Sequence, residues 1–332
     1  MSDAVTNAIT FDLEHWHSAS LLQGRVDDPT DRVHESLSLV LRLLRAHDVR
    51  ATFFVVGELA AEYPELVARL ADEGHEIGSH GHTHTPLFDL DREAFEREID
   101  RSVAAIEDAI GQRPLGFRAP NFSVGPDTDW AIDVLRERGF DYDSSVFPVR
   151  TPMYGIGGVP FSPYVPRPDD PFGGVRVASG EDPRRAASPE RPLASDGHSS
   201  RRTPVSPDDA ALVEFPLAVF HPSFRLPIAG GFYARLLPTW LLKRGIRNLN
   251  DRGVPAMLYF HPWEFNPAVV RSDVPRHAAF VSFHSIETTT GTVNELLSTF
   301  AFDSAKSVLD GVRPRPSGRH DGDSGGRGGD SR

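Results

Sequence analysis

The chain contains no cysteine and only two lysines, Lys243 and Lys306, among its 332 residues. The lack of cysteine excludes disulfide bonds and thiolate ligands, so histidine and carboxylate are the strong side-chain ligands available to a metal ion. The net charge of −12 disfavours a nucleic-acid partner, which would require a basic surface. An acidic, lysine-poor composition favours a salt-adapted protein, although codon bias alone would also produce it.

Long apolar runs are also missing. No stretch approaches the roughly 20 residues that span a membrane, and segment 1–7 lacks the basic-then-apolar order of a secretory signal. We therefore expect a cytoplasmic protein without a transmembrane segment. Apolar residues make up 39% of the chain, which is enough to build one large α/β domain or two small ones. The pattern does not indicate an oligomeric state.

Short apolar runs alternate with amphipathic segments along the chain. The runs predict buried strands at 9–11, 51–56, 76–78, 115–118, 212–215 and 256–260. Apolar residues recur every three or four positions in segments 33–44, 59–70 and 95–110, which predicts helices, the third capped by Asp91 and ended by Gly111. This alternation predicts parallel strands with right-handed crossovers, closed into an α/β barrel.

Two segments lack apolar runs and are rich in Pro, Arg, Ser, Asp and Gly. We predict a disordered insertion at about 166–209, with a substrate lid as the alternative, and a flexible tail over 306–332. The rest, residues 1–305, is predicted to be one catalytic domain.

Three histidines follow the third predicted strand, and two of them, His80 and His84, are four residues apart. On a helical turn this spacing places both side chains on one face, where they could bind one metal ion, while His82 would point away. Titratable residues also follow three other predicted strands, at Asp12 with Glu14, at Arg118 and at His261. Together they form the set of groups that a metal-dependent hydrolase requires.

These motifs, in this order, resemble the polysaccharide deacetylases of the NodB homology type, carbohydrate esterase family four, over roughly residues 7 to 300. The quoted segments are Thr10-Phe11-Asp12-Leu13-Glu14, His80 through His84, Arg118-Ala119-Pro120 and Leu258 to His261. The segments Asp143 to Pro148 and His261 to Glu264 resemble the branch associated with bacterial exopolysaccharide and exosortase loci. One departure is that Asp12-x-Glu14 replaces the adjacent aspartates of the usual first motif. The resemblance sharpens the expected fold to an irregular (β/α)7 barrel.

The resemblance also implies roles for the residues. Glu14, His80 and His84 would hold one divalent ion, with zinc first and cobalt, nickel or manganese as alternatives. Asp12 would be the general base, Arg118 would orient it, and His261 would be the general acid. We predict substrate contacts at Pro120, Tyr233, Leu258 and Trp263. The substrate would be an N-acetylated oligo- or polysaccharide or a glycan precursor.

Other interpretations remain open. Asp12 and Glu14 could cap a segment or pair with arginine, and Arg118 could be a structural ion-pair partner. Segment 230–233 and Trp263 could be ordinary core rather than a sugar groove. At the level of function, the alternatives are an allantoinase-like hydrolase of small amides and a catalytically silent glycan-binding barrel.

Overall fold

The computed structural model describes residues 5–27, 29–151, 154–177 and 212–312. Within them the strands are β1 (Asn7–Leu13), β2 (Thr52–Val55), β3 (Glu76–Ser79), β4 (Gly116–Phe117), β5 (Tyr142–Asp143), β6 (Tyr164–Arg167), β7 (Asp170–Arg176), β8 (Val213–Glu214), β9 (Met257–Phe260) and β10 (Phe302–Asp303). The helices are α1 (Val33–Ala46), α2 (Gly57–Glu62), α3 (Pro64–Asp72), α4 (Arg92–Ile110), α5 (Trp130–Glu137), α6 (Gly231–Leu236), α7 (Thr239–Asn250), α8 (Arg276–Phe283), α9 (Thr289–Leu297) and α10 (Ala305–Val312).

Seven parallel strands form the centre of the molecule, in the order β9-β1-β2-β3-β4-β5-β8. The ring lacks a strand ladder between β8 and β9 in the described residues. There the backbone amide of Ala218, just after β8, donates a hydrogen bond of 3.0 Å to the Met257 carbonyl. The predicted irregular (β/α)7 barrel is therefore confirmed, and its seam lies at this contact.

All six predicted strands are present, and the barrel encloses a core rich in aromatic residues. Phe11, Phe53, Phe54 and Phe260 are fully or almost fully buried, and Phe11 stacks on Phe53 at 5.1 Å between ring centroids. Strands β5, β6, β7 and β10 were not predicted as strands. They are two to seven residues long, and the shortest leave too few positions for a pattern.

The predicted ends of α4 are confirmed, whereas the helix predicted over 59–70 is divided. Asp91 caps α4 by accepting a hydrogen bond of 2.8 Å from the Ala94 amide, and Gly111 ends the helix at φ 68°, so both predictions are confirmed. The segment 59–70, predicted as one helix, is two. Pro64 begins α3 after the non-helical Tyr63, because proline cannot donate the hydrogen bond that a continuous helix would need.

The prediction of disorder from about residue 166 is wrong for its first part. Strands β6 and β7 form an antiparallel hairpin that joins the sheet through the pair Tyr164 and Glu214. The buried Tyr164 anchors this hairpin. Prolines and charged residues in segment 166–171 hide the strand pattern in the sequence. Residues 178–209 of the predicted insertion and 313–332 of the predicted tail lie outside the described residues. The tail prediction is wrong for 306–312, which belong to α10.

The amino- and carboxyl-terminal halves share one sheet. Strand β1 pairs with β2 on one side and with β9 on the other, and β10 pairs with the first residues of β1. None of the helices in the described ranges has the length and apolar character needed to cross a membrane.

Candidate active site

The chemically active side chains lie at one edge of the barrel, where the parallel strands end. Asp12 and Glu14 are at the end of β1, His80 follows β3, Arg118 follows β4 and His261 follows β9. Because neighbouring parallel strands end at the same edge, residues far apart in sequence come together. The structure thus brings the predicted metal and catalytic residues into one place.

A loop, rather than the expected helical turn, brings His80 and His84 together. Gly81 has φ 74° and His84 has φ 58°, and the two imidazole centroids are 5.1 Å apart. Glu98 on α4 fixes the loop by accepting hydrogen bonds from the backbone amides of His82 and Thr83 at 3.0 and 2.8 Å. His82 does not line the cavity described below, as predicted.

Glu14, His80 and His84 can hold a metal ion. One ligand atom from each lies within 4.8 Å of the others, and all three side chains are buried. Glu14 Oε2 is 2.8 Å from His84 Nε2. His80 Nδ1 lies 2.7 Å from the Arg118 carbonyl oxygen, which can accept only from a protonated Nδ1 and so leaves Nε2 free to ligate. Two imidazoles and a carboxylate with open positions fit a catalytic divalent ion such as zinc.

Electrostatics favours the metal-binding protonation state of this cluster. Burial raises the pKa of Glu14, but His84, His261 and His80 together outweigh it and hold the pKa at about 2. Burial lowers the pKa of His80 to about 4. Glu14 is therefore ionised and His80 neutral at neutral pH, and these are the forms that bind metal.

Arg118 is fully buried and holds Asp12. Its Nη1 donates to Asp12 Oδ1 and to Thr10 Oγ1, both at 2.7 Å. Its Nε and Nη2 donate to the Ser144 carbonyl and hydroxyl oxygens at 3.0 Å each. The other oxygen of Asp12 lies 4.0 Å from His80 Nε2. Asp12 is thereby fixed between the arginine and the metal-binding cluster.

His261 contacts two carboxylates. Its Nε2 is 3.5 Å from Glu14 Oε1, and its Nδ1 is 3.3 Å from Glu264 Oε2. Burial lowers its pKa, but the hydrogen bond to Glu264 and the charges of Glu14 and Glu264 outweigh burial and raise the pKa to about 9. The histidine is therefore a cation at neutral pH and carries a proton that it can donate.

Sequence reasoning did not assign a role to Glu264 or Arg235. Arg235 on α6 pairs with Glu264 at 2.5 Å and donates to the carbonyl oxygens of Val281, Ser282 and His284. This pairing, acting against burial, lowers the pKa of Glu264 to about 2. The three-residue spacing of His261 and Glu264 could have identified the carboxylate, whereas no sequence signal points to Arg235.

A cavity of about 370 Å³ opens above the cluster. Tyr233 and Trp263 line it, as predicted for substrate contacts, whereas Pro120 and Leu258 do not. Leu258 is buried in β9, where its carbonyl oxygen accepts a hydrogen bond from Thr10 Oγ1. The lining residues are Asp12, Glu14, Ala19, Ser20, Leu21, His80, His84, Asn121, Phe122, Thr151, Tyr154, Phe232, Tyr233, Tyr259, His261, Trp263, Glu264, Val281 and Ser282.

Two segments of the chain match known family models, and both segments contribute residues to the candidate site. A family model described as polysaccharide deacetylase matches residues 8–142, the segment that supplies Asp12, Glu14, His80, His84 and Arg118. This segment is therefore similar to polysaccharide deacetylases. A second model, described as a domain of unknown function (DUF3473), matches residues 190–310. The second match includes His261 and Glu264, so the candidate active site draws on both matched regions.

Curated relatives match the first part of the deacetylase barrel. A peptidoglycan-N-acetylglucosamine deacetylase of Bacillus cereus is 28% identical over 120 residues, 32% of this chain and 42% of that protein. A chitooligosaccharide deacetylase of Rhizobium leguminosarum bv. trifolii is 45% identical over 73 residues, 22% of this chain and 34% of that protein. The chain thus spans less than half the length of these relatives.

Two solved structures share the deacetylase fold over nearly the whole chain. One, assigned to the polysaccharide deacetylases of Mycobacterium smegmatis, has a TM-score of 0.54 and 20% identity and covers 94% of this chain and 92% of its own. An allantoinase has a TM-score of 0.54 and 14% identity and covers 93% of this chain and 91% of its own. At 20% and 14% identity, these two likenesses show the fold alone.

Proposed function

We propose that this protein is a metal-dependent hydrolase that removes acetyl groups from N-acetylated sugars of a polysaccharide or glycan precursor. The observation that carries the proposal is the convergence of Glu14, His80 and His84 beside the Asp12–Arg118 pair and His261. The ion would be divalent, with zinc first and cobalt, nickel or manganese as alternatives.

The residues of this chain support hydrolysis of an amide in distinct ways. A bound divalent ion would supply Lewis-acid polarisation of the substrate carbonyl and lower the pKa of water. Asp12, held by Arg118, is placed to accept a proton from the attacking water. His261 is placed to donate a proton to the departing amine nitrogen, without which an amide C–N bond breaks slowly at neutral pH.

The sugar substrate is supported by the motif resemblance and by the names of the curated relatives, which act on peptidoglycan N-acetylglucosamine and chitooligosaccharide. Aromatic side chains in the cavity, including Trp263 and Tyr233, suit the apolar faces of a pyranose ring. The alternative is hydrolysis of a small amide, since an allantoinase shares the fold.

A substrate panel tests the proposal. Metal-loaded protein is assayed for acetate release from N-acetylated chitooligosaccharides and 4-nitrophenyl acetate, and for ring opening of allantoin. His84→Ala, purified in the same way, controls for a contaminating hydrolase. We expect acetate from the sugars, none from His84→Ala, and little or no turnover of allantoin. Turnover of allantoin alone would replace the sugar proposal with the small-amide alternative.

Binding of an acetylated chitooligosaccharide without turnover of any substrate, in protein shown to contain metal, would favour the silent glycan-binding barrel. Such an outcome would mean that the geometry at Asp12 and His261 is retained without catalysis.

A further inference from the structure

The cavity wall contains three tyrosines with no role assigned so far beyond the predicted substrate contact of Tyr233. Tyr154, Tyr233 and Tyr259 all line the cavity. Phe122 contacts the rings of Tyr154 and Tyr259, and Phe147 contacts the rings of Tyr154 and Tyr233. Three separate elements, the loop after β5, helix α6 and strand β9, therefore bring the three tyrosines to one wall of the cavity.

Each tyrosine is held in place by its surroundings. Tyr259 is fixed in the β1–β9 ladder opposite Thr10. The Tyr154 backbone is held by Thr151, whose amide and hydroxyl donate to the Tyr154 carbonyl oxygen at 2.9 and 2.7 Å. Tyr233 lies on α6, which begins just after Gly230, and Gly230, at φ 94°, packs closely against the Tyr259 ring. A Cβ at Gly230 would lie 2.6 Å from the Tyr259 ring.

Two phenylalanines, Phe122 in the cavity lining and the buried Phe147, support the same side chains. Phe122 contacts the Tyr259 ring at 4.8 Å and the Tyr154 ring at 5.4 Å between centroids. Phe147 contacts Tyr154 at 5.3 Å and lies nearly parallel to Tyr233 at 6.3 Å. The hydroxyl positions are thus preorganised by packing, and preorganised polar groups lose little entropy when they bind a ligand.

The hydroxyl cluster retains hydrogen-bonding capacity. Burial raises the pKa of all three tyrosines, that of Tyr233 to about 12, so each hydroxyl keeps its proton. Each tyrosine hydroxyl can donate one hydrogen bond and accept others, so the three together can bind several polar groups of a ligand. A ligand with several hydroxyl groups and an apolar ring face matches this wall, which offers both hydrogen bonds and aromatic surface.

The three tyrosines lie outside the segment matched by the deacetylase model, which ends at residue 142. Tyr233 and Tyr259 lie within the region of unknown function, 190–310, and Tyr154 precedes it. The first half of the chain thus supplies the metal-binding cluster. The later part supplies the tyrosine wall.

We infer that Tyr154, Tyr233 and Tyr259 form the sugar-recognition wall that makes this hydrolase prefer a hydroxylated pyranose over a small amide or ester. This inference rests on the proposed function. It gives the carboxyl-terminal half of the chain a role in substrate selection.

Tyr→Phe variants test the wall because they remove a hydroxyl and keep the ring. For Tyr154→Phe and Tyr154→Phe/Tyr233→Phe, kcat and KM are measured with tri-N-acetylchitotriose and with 4-nitrophenyl acetate, which lacks a sugar ring. We expect a KM increase of about 3- to 10-fold per hydroxyl with the sugar. The kcat/KM for the sugar should fall more than that for the ester.

Two controls complete the test. Tyr63→Phe removes a hydroxyl that donates to Asp31 outside the cavity lining, and it should leave both substrates unaffected. Binding of tri-N-acetylchitotriose to metal-free protein, followed by the fluorescence of Trp263 and the other tryptophans, should weaken in the wall variants by the same factor as KM rises.

The outcomes separate the two proposals. The tyrosine wall alone is overturned if the wild type deacetylates the sugar and the variants keep its KM and binding unchanged. It is also overturned if kcat/KM falls equally for the sugar and the ester in the variants. A wild type that hydrolyses the ester but no acetylated sugar overturns the proposed function and the wall with it.

Discussion

Glu14 and Asp143 are both buried carboxyl groups at the carboxyl ends of barrel strands, yet their pKa values move in opposite directions. Burial raises the pKa of both. For Glu14, three histidines outweigh burial and the pKa is about 2. For Asp143, Ser145, Glu214 and Arg118 only partly offset burial and the pKa is about 6.

The difference lies in the neighbours. Glu14 faces imidazoles and an open cavity. Asp143 lies opposite Glu214 in the β5–β8 register, and burial together with Asp143 raises the pKa of Glu214. One proton shared between the two carboxyls keeps their combined charge low inside the protein. Buried acidic groups therefore indicate a binding site where cationic or ligating groups and a cavity meet, and a structural contact where the acids face each other.

The strongest test of this contrast removes one ligand. His84→Ala should lower metal affinity by more than about 100-fold, because it removes a direct ligand rather than an outer partner. Asp143→Asn should keep its metal. The metal content of wild type, His84→Ala and Asp143→Asn is measured after metal-replete purification. Equally low metal content in wild type and His84→Ala would contradict the proposed site.

Asp12→Asn addresses the other carboxylate of β1. It should keep the metal and lose activity by about 10²–10⁴-fold, because it removes a general base without removing a proposed ligand. Metal content and acetate release are measured on one preparation. If the metal is lost as well, Asp12 is a ligand and the roles of Asp12 and Glu14 must be exchanged.

A third buried carboxylate, Glu264, extends the comparison because Arg235 rather than a histidine cluster holds it. Gly231→Ala should destabilise the protein by about 1–3 kcal/mol, since a Cβ at Gly231 would lie 2.1 Å from both Glu264 carboxylate oxygens. Urea unfolding measures the loss. Gly125→Ala is the control, because nothing lies within 4 Å of its Cβ position. Equal behaviour of the two variants would show that α6 can move away.

The smallest expected effect concerns the proton shared by Asp143 and Glu214. With a folded pKa of about 6 against an ordinary 3.8, Asp143 keeps a proton that the unfolded chain has lost between these values. The contribution of Asp143 to the free energy of unfolding therefore falls as pH rises from about 4 to 6. Asp143→Asn lacks this loss, so its stability relative to wild type should increase by on the order of 1–2 kcal/mol between pH 4 and pH 7.5.

Urea unfolding at the two pH values measures this change, with the exposed Asp89→Asn as the control. A pH-independent difference between wild type and Asp143→Asn would show that the carboxyl pair does not share a proton.

The sequence predicted the barrel and the residues that meet at its edge, because short apolar runs and the titratable residues that follow them are local signals. It did not predict how His80 and His84 approach each other, since the left-handed backbone at Gly81 and His84 follows from packing against α4. It also missed Arg235, whose function depends on a partner 29 residues away in sequence. Short strands such as β5 were missed because two residues carry no periodicity.

The position of β1 between β2 and β9 has a consequence for biosynthesis. Strand β1 pairs with a strand that is synthesised about 250 residues later, as the hydrogen bond from Thr10 to Leu258 shows. Until β9 emerges, one edge of β1 is open and His261 is absent from the site. Such long-range pairing slows folding and prolongs the exposure of strand edges. The nascent chain therefore keeps this edge of β1 unpaired until β9 has been synthesised.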